Sequence, residues 1–358
     1  MIIPIIEMHN KKIILKTMLL RVDASHKIGL GHVMRCFALA QAWHRAGGAV
    51  IMVMRETDQI LQERLSAQGI RVDLLNGVAD EISYINKLVK QNSVDWIVID
   101  GYQFNSNYIR SIKEKNKKVL VIDDDATLSD YSADIILNQN QHAKANIYRG
   151  KTKARLLIGS HYALMREEFL NKQNWQRDFP RIGLNVLFTF GGADPQNNTL
   201  AVVKCLIGSL VSEFHDMRIR IIIGGANNKG AMVRRMVEGI KNIQIYNDVL
   251  EMGEHIRWCD IIASGAGSTV WESALYQTPM ILIPSSDVEK KIAVEMMELG
   301  ASMSCLNIHE SGFQCAIDAI LNLSDDYAQR VKLGQTAGKL VDGNGATRVV
   351  DALLNFIN

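Results

Sequence analysis

A histidine follows two closely spaced glycines near the start of the sequence. The segment reads Gly29-Leu30-Gly31-His32, and from Val33 onward apolar residues recur with the i, i+3, i+4, i+7 spacing of an amphipathic helix. His32 is therefore expected in the first helical turn, where backbone N–H groups and the helix macrodipole attract anions and disfavour the imidazolium form. A neutral imidazole is what a general base needs.

Residues close to His32 in the sequence complete this first candidate site. Arg35 lies three residues further along the predicted helix and also favours the neutral imidazole if it is close. Asp23, Gly29 and Gly31 are expected to contact a ligand bound at this loop. The alternative is structural, because the glycines can simply tighten a strand-to-helix turn while His32 caps the helix or packs in the core.

A second glycine-containing segment, FGGADPQNNT (190–199), again lies between a predicted strand and a predicted helix. Glycine lets the backbone approach a ligand closely, whereas Asp194 or Asn197 can cap the following helix. The segment is equally compatible with turn formation and with ligand binding by Gly192, Asp194 and Asn197.

The third segment, SGAGSTVWE (264–272), combines small residues and hydroxyl groups at a predicted helix N-terminus. Backbone N–H groups in such a turn can seat a diphosphate without lysines. The candidate ligand-binding residues are Gly265, Gly267, Ser268, Thr269 and Glu272, the last within reach of ribose hydroxyls. The alternative is a capping box, with Ser268 or Thr269 as the N-cap and Glu272 at the N3 position.

Acidic residues follow two of the apolar segments. Asp123, Asp124 and Asp125 come after KVLVI and resemble the clusters that hold Mg²⁺ or Mn²⁺ in some sugar transferases. Aspartates also commonly end parallel strands and cap the next turn or helix, so we expect no metal and no cofactor. Asp100 and Tyr102 come after DWIVI, and a tyrosine at the carboxyl end of such a strand can touch a sugar.

The elements that must position these segments follow a βαβα order. Apolar runs without polar alternation, such as AVIMVM (49–54), indicate strands buried on both faces of a parallel sheet. One series runs from Leu19 to ARLLIG (154–159), and a second from LNVLFTFGG (184–192) to MILIPS (280–285). They predict an α/β protein with two Rossmann-like doubly wound domains and a ligand in the cleft between them.

The predicted division of the chain has four parts. They are an N-terminal extension at residues 1–17, a first domain at 18–165 that carries the histidine, a linker at 166–183 and a second, nucleotide-binding domain at 184–358.

Composition excludes several classes of protein. The 358 residues suggest roughly two domains, and the 40 Lys+Arg against 38 Asp+Glu leave too little positive charge for a nucleic-acid partner. The five cysteines form no CxxC pair, so neither a disulfide framework nor a zinc ribbon is expected, and a cytoplasmic location fits best. No apolar run approaches the roughly 20 residues that cross a bilayer, so we expect no stable membrane insertion. The sequence is compatible with a monomer and does not determine the oligomeric state.

Seven segments, taken in order, resemble one known family. They are RVDASHKIGLGHVMRCFALAQAW, VIDGYQFN, VLVIDDDA, ILNQNQ, LIGSHYALMREEF, FTFGGADPQNNT and SGAGSTVWESALYQTP. The set, which runs from about Leu19 to Gly300, resembles the UDP-sugar hydrolases of pseudaminic acid synthesis and the related spore-coat polysaccharide proteins. The resemblance implies the glycosyltransferase-B architecture, similar to the enzyme that adds GlcNAc to lipid I. It also implies metal-independent hydrolysis of UDP-2,4-diacetamido-2,4,6-trideoxy-β-L-altrose to the free sugar and UDP.

The resemblance also implies roles for single residues. His32 corresponds to the catalytic histidine, Tyr102 to a residue on the sugar side of the cleft, and the 265–272 segment to the nucleotide-binding turn. The chain departs from the family at Val288-Glu289, where an Asn-Gln pair is usual. A carboxylate at Glu289 loses a hydrogen-bond donor and adds negative charge near a diphosphate.

Two other functions are compatible with the same residues. A UDP-sugar-dependent glycosyltransferase of cell-surface polysaccharide synthesis would use the same nucleotide seat and base with an acceptor hydroxyl in place of water. A non-catalytic UDP-sugar-binding subunit of a polysaccharide system would keep the Gly267 turn and have no use for His32.

Overall fold

The chain is described here from a computed structural model, which covers residues 16–25, 29–114, 118–170, 175–209, 214, 216–306 and 313–357. Residues 1–15 of the predicted extension lie outside this part. The described residues form two parallel sheets, each packed against helices on both faces. The predicted α/β class with two Rossmann-like domains is confirmed. Across the described ranges no helix has the length and apolar composition of a bilayer-crossing segment.

The first sheet has seven parallel strands. They are β1 (Thr17–Arg21), β2 (Ala49–Met54), β3 (Arg71–Leu74), β4 (Val94–Asp100), β5 (Lys118–Ile122), β6 (Ile135–Asn138) and β7 (Arg155–Ile158). Their spatial order is β3-β2-β1-β4-β5-β6-β7, with Leu19 of β1 opposite Ile51 of β2 on one side and Ile97 of β4 on the other. Strand β3 is short and polar, which explains why the apolar pattern did not reveal it.

Four helices alternate with the first strands of this sheet. They are α1 (Gly31–Arg45), α2 (Gln59–Ala67), α3 (Glu81–Gln91) and α4 (Ser106–Lys113). The predicted helix after the first glycine segment is confirmed, and the side chains of Val33, Cys36 and Ala40 are fully buried against the sheet. The helix therefore begins one residue before His32 and keeps that residue at the carboxyl edge of the sheet.

The second sheet has six parallel strands in the order β10-β9-β8-β11-β12-β13. The strands are β8 (Asn185–Thr189), β9 (Arg218–Ile223), β10 (Ile243–Asn247), β11 (Ile261–Ser264), β12 (Met280–Leu282) and β13 (Met303–Ser304). The later helices are α5 (Glu167–Leu170), α6 (Asn198–Ser209), α7 (Gly230–Val237), α8 (Met252–Trp258), α9 (Thr269–Leu275), α10 (Asp287–Glu298), α11 (Gln314–Asp325), α12 (Tyr327–Gly338) and α13 (Gly345–Leu354).

The last helix packs on the first domain, although it follows the second one in the chain. Val349, Val350 and Leu353 of α13 are buried in the same apolar cluster as α1, and Trp96 Nε1 donates a hydrogen bond to the carbonyl oxygen of Leu353 at 3.2 Å. The predicted division at residue 184 places α13 in the second domain and does not include its packing on the first. This helix connects the two domains a second time, in addition to the linker.

The later part of the predicted linker is docked on the second domain. The Arg177 guanidinium donates hydrogen bonds to the carbonyl oxygens of Tyr276 at 3.0 Å, Cys259 at 2.6 Å and Ile256 at 2.9 Å. Residues 171–174 lie outside the described part. Before them, the backbone N–H of Glu167 donates to Gln41 Oε1 of the first domain at 3.0 Å, so the linker contacts both domains.

The cysteines give one correction. Cys305, which follows β13, and Cys315, in the first turn of α11, form a disulfide with their Cα atoms 6.1 Å apart. The sequence predicts no disulfide framework because spacing alone carries no signal for such a pair. The fold brings the end of a strand and the start of a helix together, and only this proximity reveals the bond.

The strand order reverses at one point in each sheet, between β1 and β4 in the first and between β8 and β11 in the second. Loops leaving neighbouring strands in opposite directions open a crevice at the carboxyl edge of a parallel sheet, where ligands bind. His32 follows β1, and Tyr102 follows β4. The glycine segments of the second domain follow β8 and β11. The three glycine-containing candidate segments and Tyr102 therefore start at these two crevices, while the aspartates at 123–125 and Glu289 follow the neighbouring strands β5 and β12.

Candidate active site

A cleft of about 510 Å³ lies between the two domains. Twelve of the predicted site residues line it, namely Gly29, Gly31, His32, Arg35, Tyr102, Gly192, Asp194, Gly265, Gly267, Ser268, Thr269 and Glu289. Three others, Asp23, Asn197 and Glu272, do not line it. The fold thus brings residues from the five connections after β1, β4, β8, β11 and β12 to one place, and their roles stay predictions.

His32 lies at the wall of the cleft and is held from behind by a carboxylate. Its side chain is largely buried, with 8% of the residue exposed. The ring Nδ1 is 2.7 Å from Oδ1 of Asp100, a residue with no exposed surface at the end of β4. The Tyr102 ring packs edge-on against the imidazole, with ring centroids 4.8 Å apart. Two loops from neighbouring strands thereby fix the orientation of the ring.

The contacts around Nδ1 determine which nitrogen of His32 carries the proton. The Arg35 Nη2 atom is 3.0 Å from Nδ1, but it also lies 2.6 Å from Asp100 and 3.0 Å from Asp124. Its two hydrogens are used by the two carboxylates, which bind a cationic donor more strongly than a neutral imidazole does. Nδ1 is then left to donate its own hydrogen to Asp100. The Nε2 atom consequently carries the lone pair of the neutral ring.

Arg35 joins two buried carboxylates behind the histidine. Its Nε donates to Asp100 Oδ2 at 2.7 Å, and its Nη1 donates to Asp124 Oδ1 at 2.7 Å. Burial alone would raise the pKa values of both acids, but the Arg35 guanidinium holds them below their ordinary range. Both acids are therefore ionised at neutral pH. Arg35 is committed to these partners, so its role is to position the network rather than to meet a ligand with free charge.

The three consecutive aspartates take separate partners. Asp124 accepts from Tyr102 OH at 2.9 Å, and Asp123 accepts from Tyr131 OH at 2.8 Å. Asp125 forms an ion pair with Lys291 across the domain interface. Carboxylates that point in three directions do not make a common cation site, and no group of three acidic, histidine or cysteine side chains with metal-binding geometry occurs in the described ranges. Their positions fit the structural alternative, in which strand-end aspartates cap and pair.

Asp23 is placed differently from the prediction. Its Oδ1 accepts hydrogen bonds from Arg21 Nη1 and from the backbone N–H of Arg55, both at 2.6 Å. Its Oδ2 accepts from Gln103 Nε2 at 2.9 Å. With these donors the carboxylate joins the ends of β1 and β2 to the loop after β4. Asp23 therefore supports the loops around the cleft and does not face it.

The second domain presents the backbone of the 265–268 loop to the cleft. This loop joins β11 to α9, and Ser268 at the helix start makes no side-chain capping bond. The alternative interpretation of the segment as a capping box is therefore not supported. The ribose contact of Glu272 is also not supported, because this side chain is buried and its Oε1 accepts from Arg166 Nη2 at 3.0 Å. Glu272 joins α9 to the linker.

The loop after β8 is shaped by close packing between domains. A Cβ atom on Gly192 would lie 2.7 Å from the Leu30 side chain, so only glycine allows this approach. Asp194 accepts hydrogen bonds from the backbone N–H groups of Asn198 and Thr199, both at 2.8 Å, which confirms it as a cap of α6. Asn197 lies in the left-handed region with φ +56° and completes the turn.

Several polar residues of the cleft were not singled out as site residues from the sequence. Asp100 and Asp124 carry the network behind His32, while Gln103, Gln139 and Asn140 line the sugar-facing side predicted for Tyr102. The usable signal for Asp100 was its position at the end of the strand next to β1. Polar residues at the carboxyl ends of strands on either side of a switch point share one crevice, so this residue could have been linked to His32.

Part of the second domain matches a known family model. Residues 186–326 match the glycosyltransferase family 28 C-terminal domain. This segment contains the glycine loops after β8 and β11 and the Glu289 region. The match covers one domain and does not extend to the half that carries His32.

Two curated relatives cover most of the chain at low identity. The chain is distantly related to the UDP-2,4-diacetamido-2,4,6-trideoxy-beta-L-altropyranose hydrolase of Campylobacter jejuni, at 25% identity over 262 residues, 72% of this chain and 87% of that protein. It is 24% identical over 278 residues to an uncharacterized protein of Methanocaldococcus jannaschii, covering 75% of this chain and 56% of that protein. The chain thus spans little more than half the length of the latter.

Solved structures extend the likeness to the whole fold. MurG of Acinetobacter baumannii superposes with a TM-score of 0.64 at 15% identity over 95% of this chain and all of that chain. The UDP-GlcNAc 2-epimerase of Neisseria meningitidis, solved with UDP-GlcNAc bound, superposes with a TM-score of 0.69 at 13% identity over 95% of this chain and all of that chain. The fold is the glycosyltransferase-B architecture, as predicted.

Proposed function

We propose that this protein hydrolyses a UDP-linked 2,4-diacetamido-2,4,6-trideoxyhexose to the free sugar and UDP, a step of nonulosonic (pseudaminic) acid synthesis. The observation that carries the proposal is the 2.7 Å contact between His32 Nδ1 and Asp100 Oδ1 at the wall of the cleft. The relation to the Campylobacter hydrolase over 72% of this chain supports the substrate class.

In the proposed mechanism His32 Nε2 removes a proton from a water molecule as its oxygen attacks the anomeric carbon. The bond between that carbon and the diphosphate oxygen breaks, and UDP leaves with the electron pair. Because UDP is a good leaving group, one base can suffice where a glycosidase uses two carboxylates. Asp100 accepts a hydrogen bond from Nδ1–H of His32, and its negative charge stabilises the imidazolium that forms. Backbone N–H groups of the 265–269 turn stabilise the departing diphosphate.

Incubation of candidate UDP-sugars in ¹⁸O-labelled water, without an acceptor, tests the reaction. Hydrolysis at the anomeric carbon gives labelled free sugar and unlabelled UDP. We expect EDTA to leave the rate unchanged, since the mechanism uses no metal. Release of labelled UDP, or no release of either product from any UDP-sugar, would contradict the proposal.

The variant His32→Asn tests the base. General-base assistance typically contributes about 10²–10⁴-fold, so we expect kcat to fall by about that factor while the UDP affinity stays nearly constant. Single-turnover rates and UDP titrations measure the two quantities. An unchanged rate would remove His32 from the mechanism.

A UDP-sugar-dependent glycosyltransferase is the second candidate, and the family 28 match over residues 186–326 favours it. A transferase would release UDP only when an acceptor is added, and the label from water would stay out of the sugar. The incubation described above therefore separates the two functions. Measurable UDP binding with no turnover under either condition would instead favour a binding subunit.

A further inference from the structure

The charged side chains that line the cleft are mainly acidic. Asp124, Asp194 and Glu289 contribute carboxylates, and Arg35 is the single arginine or lysine among the described lining residues. Arg35 is neutralised by Asp100 and Asp124. A nucleotide diphosphate would therefore add negative charge to a surface that is already negative. Its charge must be balanced in another way.

Glu289 is the carboxylate in closest contact with the turn expected to seat the diphosphate. Its Oε2 accepts hydrogen bonds from the backbone N–H of Ser285 at 2.7 Å and of Ala266 at 3.4 Å. A Cβ atom on Gly265 would lie 3.4 Å from this carboxylate, and one on Gly267 would lie 3.7 Å from it. The Glu289 side chain thus places a carboxylate at the edge of the turn that is expected to bind the diphosphate.

The local structure needs the side chain of Glu289 but does not need its charge. Glu289 N–H donates to Ser286 Oγ at 3.2 Å at the start of α10, while the carboxylate returns to Ser285 N–H. This reciprocal arrangement is similar to a capping box, except that the carboxylate accepts from the residue before the N-cap, and glutamine is an alternative to glutamate at that position of the box. The start of α10 therefore does not require the negative charge of Glu289, and the main effect of this charge is on a bound ligand.

Among the residues that the structure describes, the groups around Glu289 supply no compensating cation. Burial raises the pKa of its carboxyl, and Asp194 from the facing loop acts in the same direction. On its own helix Asp287 is a further acid, and Lys291 is paired with Asp125. Lys290 is exposed on the helix surface. From α1, the charge of Arg35 is already compensated by Asp100 and Asp124, and His32 Nδ1 faces Asp100.

We propose that Glu289 sets the affinity of the cleft for a nucleotide diphosphate and that binding is coupled to uptake of one proton by its carboxylate. The inference rests on the proposed function, because it takes the ligand to be a nucleoside diphosphate or its sugar ester. Two like charges held a few ångströms apart repel strongly at partly buried sites. Affinity then falls as the pH rises through the pKa of Glu289, since the proton that removes the repulsion becomes harder to supply.

Calorimetric titration of UDP into the full-length protein tests the coupling, in EDTA and in buffers of different ionisation enthalpy, from about pH 5.5 to about pH 8.5. The variant is Glu289→Gln, which keeps the capping arrangement. The matched control is Glu298→Gln, which removes an exposed carboxylate from the far end of the same helix. At the highest pH we expect Glu289→Gln to bind UDP at least about tenfold more tightly than the wild type. It should also take up about one proton fewer on binding at the pH where wild-type uptake is largest, and the control should match the wild type.

Equal or weaker UDP binding by Glu289→Gln, or unchanged proton uptake, overturns the inference and leaves the proposed function standing. Wild-type binding that appears only when Mg²⁺ replaces EDTA overturns it too, because a cation then supplies the charge. Absence of UDP binding by all three proteins at every pH, with and without Mg²⁺, overturns the proposed nucleotide site and the inference with it.

Discussion

The two walls of the cleft handle charge in opposite ways. On the first domain, Asp100 and Asp124 share the Arg35 guanidinium, and burial that would raise their pKa values is outweighed by that cation, so the values are lowered. On the second domain, burial raises the pKa values of Asp194 and Glu289, whose hydrogen-bond partners are neutral. The first wall keeps its acids charged at neutral pH, and the second works against charge on its own acids.

This difference teaches how one fold divides two tasks. A proton acceptor needs a fixed tautomer, and a buried ion pair behind the ring provides it. A diphosphate needs hydrogen-bond donors without bulk, and a glycine turn at a helix start provides them. Charged side chains are therefore concentrated on one wall and backbone groups on the other. Asp194 and Glu289 are the exceptions among the described residues of the second wall.

The largest effect on activity is expected from Asp100→Asn, which removes a carboxylate from the ion-pair network of the first wall. The amide cannot replace the charge, and its NH₂ group competes with the Nδ1–H of His32, which reverses the tautomer. We expect kcat to fall about 10³-fold while KM for the UDP-sugar changes less than about threefold. Steady-state kinetics over a range of pH measures both.

The same substitution also costs stability, because Arg35 loses one of its two buried partners. Urea unfolding should give a free energy of unfolding lower by about 3 kcal/mol. Asp125→Asn is the matched control, since its ion pair with Lys291 is half exposed and such pairs contribute less than about 1 kcal/mol. Normal kcat in Asp100→Asn would mean that the ion pair is purely structural.

A smaller effect is expected from crowding the second wall with Gly267→Ala. The backbone of Gly267 has no positive φ, and a Cβ atom would meet only the Glu289 carboxylate at 3.7 Å. The fold should tolerate the methyl group, but a ligand could no longer approach the backbone closely. We expect the Kd for UDP to rise about tenfold, or about 1.4 kcal/mol, with little change in thermal stability.

Gly208→Ala is the control for this change, because a Cβ atom at Gly208 in α6 meets nothing within 4 Å. Its UDP affinity should equal that of the wild type. Unchanged affinity in Gly267→Ala would show that the ligand does not approach this turn.

The smallest effect is expected on the pH dependence of stability in Glu289→Gln. Burial raises the pKa of Glu289 in the folded protein, so the folded state favours the protonated acid. The wild type should therefore match the variant below the pKa of the unfolded chain. It should lose stability relative to the variant as the pH rises through the pKa of Glu289 in the folded protein. Urea unfolding of both proteins at about pH 4 and about pH 8 measures this difference. A variant that is less stable than the wild type at about pH 8 would contradict the prediction.

Much of the fold could be predicted because buried parallel strands leave a strong local signal. The runs WIVI (96–99) and VLVI (119–122) are apolar over their whole length, and both lie in strands. The stripe Val33, Cys36 and Ala40 likewise identified α1 as a helix. The two-residue strand β13 and the polar β3 lack this signal. They are held in place by pairing with β12 and β2, which no local pattern records.

The candidate site was predicted less completely, because partners there are chosen by side-chain direction. His32 and Asp100 are 68 positions apart in the chain, and Arg35 and Asp124 are 89 apart. Their pairing depends on the order of β1, β4 and β5 in the sheet. Glu272 has the spacing of a capping residue, yet it pairs with Arg166 from the linker.

By itself, the order of residues determined the alternation of strands and helices and the position of each glycine loop, since both depend on near neighbours and on the period of apolar side chains. The tertiary structure decided which loops meet, which nitrogen of His32 keeps its proton and which carboxylates find a cation. Those outcomes depend on distances of about 3 Å between groups far apart in the chain, and only the order of the strands in each sheet and the packing of the domains set such distances.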